Sequence, residues 1–61
     1  MKFTLAMTLD NEDARDESGA ISYRALVSYL ESVLDDLRDE KSAGVVRDAR
    51  DAPIGLWSVH A

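Results

Sequence analysis

Cysteine is absent from this 61-residue chain, and proline and tryptophan occur once each. Without cysteine there is no disulfide framework and no thiolate zinc site, so stability must come from packing alone. A chain this short buries only about 60% of the surface its unfolded form exposes, so self-association would supplement its core. Cations are scarce: seven Lys and Arg stand against twelve Asp and Glu, for a net charge of −5. Direct nucleic-acid binding is therefore not expected, because phosphate neutralisation needs clustered Lys and Arg. No apolar run approaches the roughly 18 residues of a membrane span, and none resembles a signal peptide. The expectation is a soluble, cytoplasmic protein that does not engage a membrane.

The parts of an active site are also missing. Three scattered glycines form no phosphate-binding loop, and a lone His60 has neither a nucleophile nor a second histidine beside it. The acid-rich stretch from Asp10 to Glu17 begins like a calcium loop, with Asp10 and Glu12 at alternate positions. It then places Ala14 at position five, Arg15 at position six and Ile21 at position twelve, so the liganding pattern fails. The reading is a non-enzymatic protein with no catalytic residue, no metal site and no cofactor.

What is present is periodicity. Phe3, Leu5, Met7 and Leu9 alternate with Thr4, Ala6 and Thr8, which predicts a half-buried strand over 2–9. An exposed acidic loop follows over 10–18. Over 20–39 the spacing changes, with Tyr23, Leu26, Leu30, Val33, Leu34 and Leu37 at steps of three and four predicting the buried stripe of a helix. Ser18 or Ser22 could cap its start, and Gly44 suits a left-handed residue beyond its end. Strands are predicted over 45–48 and 54–60, with a polar turn between them.

The fold class that follows is α+β, a two-layer βαββ domain spanning 1–61 with one amphipathic helix packed on a three-stranded sheet. If strands one and three are parallel neighbours, the helix is their right-handed crossover. Trp57, with Gly55 and Val59, is expected to face the helix, Gly55 allowing its close approach. Thr4, Ala6, Thr8, Ile54 and Leu56 are then left on an outer face more apolar than solvent favours. Of these, Thr4, Ala6, Ile54 and Leu56 form the candidate oligomer interface.

Charge offers a second candidate surface. Segments 10–17 and 31–41 carry −4 and −3, and Asp35, Asp36, Asp39 and Glu40 crowd the helix C-terminus, where the macrodipole favours cations. Glu31–Asp35 and Asp35–Asp39 are like-charge pairs one turn apart. Local helix stability did not select these acids, so Asp35, Asp36, Asp39 and Glu40 are the candidate partner-binding face for a basic protein. The string DARD occurs at Asp13 and again at Asp48, in an acidic loop and in a hairpin turn, two contexts with no expected relation.

The segments "MKFTLAMTLDN", "ISYRALVSYLESVLDDL" and "VVRDARDAPIGLWSV" together resemble a group of small uncharacterised bacteriophage and prophage proteins. Those begin with M-K-[FY]-T-[LI] and end in a hairpin of the form R-D-x-N-G-N-x-V-G-x-W-x-[IV]. Arg47, Asp48, Gly55, Trp57 and Val59 match that ending, while Arg50-Asp51-Ala52 stands where the group has N-G-N, so a longer or different turn is expected. The resemblance implies a phage accessory protein of βαββ form and transfers no catalytic or binding residue. The functional expectation is action through protein–protein contact in the host cytoplasm. One form is inhibition of a host nucleic-acid-handling protein through the acidic face; the other is an assembly module that forms a homodimer or larger complex through the outer sheet face.

Overall fold

The computed structural model describes residues 1–60. Strand β1 (Lys2–Met7) leads through a single 3-10 turn (Glu12–Ala14) to helix α1 (Tyr23–Arg38), then to β2 (Ala43–Arg47) and β3 (Pro53–His60). One helix packs on a three-stranded sheet of order β1-β3-β2, which is the α+β, βαββ arrangement the periodicities predict. Both ladders are antiparallel. β1 and β3 are therefore neighbours but not parallel ones; the parallel pair is β1 and β2, flanking β3. No helix is long and apolar enough to cross a membrane.

The helix begins at Tyr23 because residue 22 is the cap: the Ser22 hydroxyl accepts the Ala25 N–H at 3.2 Å. Ser18 is committed elsewhere, its hydroxyl donating to Asp16 at 2.6 Å. At the other end Glu40 N–H reaches the Leu37 carbonyl (2.9 Å) and Lys41 N–H reaches Asp36 (3.1 Å), the paired bonds of a Schellman ending. The left-handed residue this ending demands is Glu40, at φ 60, and not Gly44.

Gly44 instead lies in β2 opposite Trp57. A Cβ there would stand 2.9 Å from the indole Cε2 and 2.8 Å from Asp36 Oδ2, and closer still to the indole Nε1. Only glycine lets helix, strand and indole meet. Gly55 serves β1 rather than the helix: its missing Cβ would strike the Ala6 carbonyl and approach Met7 Cγ to 2.6 Å.

The two polar turns are copies of one device. In the turn between β2 and β3, Asp48 N–H donates to the Ala52 carbonyl and Asp51 N–H returns to Asp48. The Asp48 carboxylate accepts the N–H groups of Arg50 and Ala52, both at 2.9 Å, and Asp51 is left-handed at φ 66. Asp16 repeats this with Ser18 and Ala20, and Gly19 takes the left-handed position at φ 84. In each turn the preceding arginine donates to the carbonyl of the left-handed residue at 3.1 Å, Arg15 to Gly19 and Arg47 to Asp51. This is a three-residue hairpin loop in which a type I turn precedes a left-handed residue. The structural repeat is thus Arg15-Asp16 to Ala20 and Arg47-Asp48 to Ala52; the DARD strings are out of register with it, and their contexts are related after all.

The core comprises Ala14, Tyr29, Val33, Val46 and Trp57, with Leu5, Met7, Leu9, Ala25, Leu37, Ile54 and Val59 packed against it. Trp57 faces the helix side, as expected. Two assignments change. Ala14 lies in the core, so the acidic stretch is not wholly a solvated loop, and Ile54, assigned to the outer face, is half-buried.

Candidate functional site

The helix stripe is rotated from the expected one. Tyr29 and Val33 are its buried residues, and they face Val46 and Trp57 because α1 lies over β2. Tyr23, Val27, Leu30 and Leu34 are exposed at 73%, 53%, 37% and 46%. Tyr23, Leu30 and Leu34, all expected in the core, therefore lie on the surface. At 100° per residue, Ala25, Leu26, Tyr29, Val33 and Leu37 occupy one side of an arc roughly 200° wide that is apolar but for Asp36, and the four exposed residues occupy the other. A helix resting on a sheet needs an arc only about half as wide. The surplus is a contiguous apolar strip, and strips of this kind mark interaction surfaces.

The sheet is uncovered in a matching way. A helix about 10 Å across cannot roof three strands spaced about 4.8 Å apart. Phe3, on the helix side of β1, is accordingly 50% exposed, its ring 6.1 Å from that of Trp57. The outer face carries less apolar surface: of its large residues Leu56 is 66% exposed and Val45, paired with it, 39%. Thr4 and Ala6 lie beside them on β1, facing Ser58 and Leu56, and Ile54 is largely withdrawn.

Of the acidic residues at the helix end, Asp35, Asp39 and Glu40 lie on the surface and Asp36 is partly withdrawn. Asp35 is paired with Arg38 at 3.0 Å. The Asp36 side chain is only 25% exposed, holds Lys41 at 3.3 Å and lies beside Gly44 next to the buried indole. The Trp57 Nε1–H is buried there without a hydrogen-bond partner. Asp39 and Glu40 are exposed.

A polar network missed by the sequence reading joins the 3-10 turn, α1 and the β2–β3 turn. The Tyr29 hydroxyl donates to the Asp13 carboxylate, which also accepts Asn11 Nδ2 at 2.9 Å and the Ala49 N–H at 3.3 Å. Tyr29 first, then Asn11, hold the Asp13 carboxyl down at about 2. Burial, then the Asp13 carboxylate, push the Tyr29 hydroxyl up. A permanently ionised acceptor and a phenol that stays protonated are poorly matched to acid–base work near neutrality. The pair acts as a latch at the floor of a 360 Å³ groove rimmed by Ser28, Arg47 and Asp48. Its signal in the sequence was the second tyrosine of the helix, since a buried tyrosine hydroxyl requires a partner and the acidic loop is the local supply. Among the described residues, no group of three or more His, Asp or Glu is placed to hold a metal ion.

Comparison with known proteins adds no relative: no family model, no curated protein and no solved structure matches this chain.

Proposed function

We propose that this protein is a non-enzymatic interaction module whose working surface is the outward half of the α1 apolar arc, Tyr23, Val27, Leu30 and Leu34. The observation that carries the reading is that four large apolar side chains at steps of four, three and four lie on the surface of a 16-residue helix, whereas Val33 and Tyr29 alone among its large residues are buried. Stability of the isolated chain does not call for them, so their cost in solubility needs another use. The acidic cluster carries less of the reading, because Asp35 and Asp36 are already engaged within the chain.

The resemblance of its terminal motifs to small phage proteins extends the proposal to a phage accessory protein acting in a host cytoplasm. In the closing pattern the glycine of N-G-N falls on Asp51, the residue at φ 66, so the turn here is compatible with that pattern.

A photo-crosslinking amino acid placed at position 27 in cells tests the working surface. Adducts with protein are expected from position 27 and not from position 17, at the tip of the first polar turn. Adducts from position 6 on the outer sheet face alone would move the working surface there. No adduct from position 27 would end the reading.

A further inference from the structure

We infer that the occupant of the α1 strip is a second copy of this chain, its helix lying antiparallel across the first. The inference rests on the working surface just proposed and names its partner. Three observations converge on it.

The first is self-complementarity. Tyr23, Val27, Leu30 and Leu34 follow the alternating four-three spacing of a coiled-coil seam, with Tyr23 and Leu30 in one kind of position and Val27 and Leu34 in the other. An antiparallel pair brings the two kinds together. A two-fold axis passing between Val27 and Leu30 sets Val27 on Leu30 of the second copy and Tyr23 on Leu34. All four residues then find apolar partners with none left over, as an isologous interface requires.

The second is charge. Arg24 and Glu31 flank the strip on its solvent side, seven residues apart, and both are exposed. Among the described residues neither takes part in an ion pair within the chain. The same axis brings Arg24 of one copy beside Glu31 of the other, twice. A parallel pair would give neither residue an opposite charge, so the flanking charges select the antiparallel arrangement.

The third is size: a chain of this length gains most from an added core, and a seam between two helices supplies one.

The test uses Arg24→Glu, Glu31→Arg and their mixture, followed by sedimentation equilibrium at low ionic strength, with circular dichroism confirming the fold. Each variant alone places like charges together at both ends of the seam and should self-associate about 10-fold more weakly than the parent. Mixing the two restores opposite charges at both ends, so the heterodimer should return to within about 3-fold of the parent affinity. Leu30→Asp should weaken self-association about 100-fold or more, since it sets a carboxylate at the seam's centre. A monomeric parent chain overturns the inference, as does a dimer indifferent to the swaps or one that mixing fails to restore. Failure here is distinguishable from failure of the working surface: a monomer that still gives adducts from position 27 with another protein retains the surface and loses only the second copy.

Discussion

Glu40 occupies a conformation built for glycine, and replacing it gives a stability change that can be worked from the structure. At φ 60 it is the left-handed residue closing α1, and its backbone N–H completes the Schellman bond to Leu37 at 2.9 Å. A left-handed L-residue costs about 1 to 2 kcal/mol, most of which glycine escapes. Against this, glycine adds roughly 0.5 kcal/mol of unfolded-state entropy. Removing an acid from the negative end of the helix dipole returns about 0.3 kcal/mol. Glu40→Gly should therefore stabilise the protein by about 1 kcal/mol, raising Tm by roughly 4 to 8 °C for a chain of this size. Two controls isolate the cause. Glu40→Ala removes the charge and keeps the strain, so it should gain no more than a few tenths of a kcal/mol, and Asp39→Gly, at φ −83, should destabilise. Urea unfolding followed by the single tryptophan measures all three. If Glu40→Gly is no more stable than Glu40→Ala, Glu40 carries no left-handed strain.

Asp51→Gly applies the same logic to the second polar turn, which would then match Gly19 in the first; a gain of about 0.5 kcal/mol is expected, smaller because aspartate tolerates this conformation and its contact with Arg47 at 3.8 Å is lost. Gly44→Ala drives a methyl group into the Trp57 indole and should cost about 1 to 3 kcal/mol, with a change in near-ultraviolet dichroism that marks the displaced ring. The Asp13 carboxyl is held at about 2 in the folded state, below its unfolded value. Its contribution is therefore complete above the unfolded value of about 4 and fades as the pH falls through 2. Asp13→Asn should be less stable than the parent at pH 7, with thermal melts converging between pH 4 and 2; a gap that stays constant to pH 2 would remove the latch.

Two-residue alternation in Phe3–Leu9 and the three-four spacing of the helix were enough to read the βαββ order, because each element buries one face and its period records which residues are apolar. The rotation of the helix was not legible for the same reason. An arc roughly 200° wide is apolar on both halves but for Asp36, and only the position of α1 over β2 decides which half meets the sheet. Tyr29 entered the core because Asp13 and Asn11 satisfy its hydroxyl, a long-range pairing that periodicity does not encode. The turn repeat was hidden because its register is set by backbone conformation at Gly19 and Asp51, while the eye follows the identical letters at Asp13 and Asp48. Strand pairing was underdetermined as well: β3 is central because it is the longest strand and hydrogen-bonds on both edges, and neither fact has a residue signature.

In the proposed dimer the outward half of the α1 arc, and not the outer sheet face, meets a second copy of the chain. Sedimentation equilibrium of the parent chain beside Leu30→Asp and Leu56→Asp tests it most directly. The expected result is a parent mass approaching twice 6.7 kDa, a fall to 6.7 kDa for Leu30→Asp and a value unchanged from the parent for Leu56→Asp. A parent chain that sediments at 6.7 kDa, or a dimer that Leu56→Asp dissolves and Leu30→Asp does not, would contradict it.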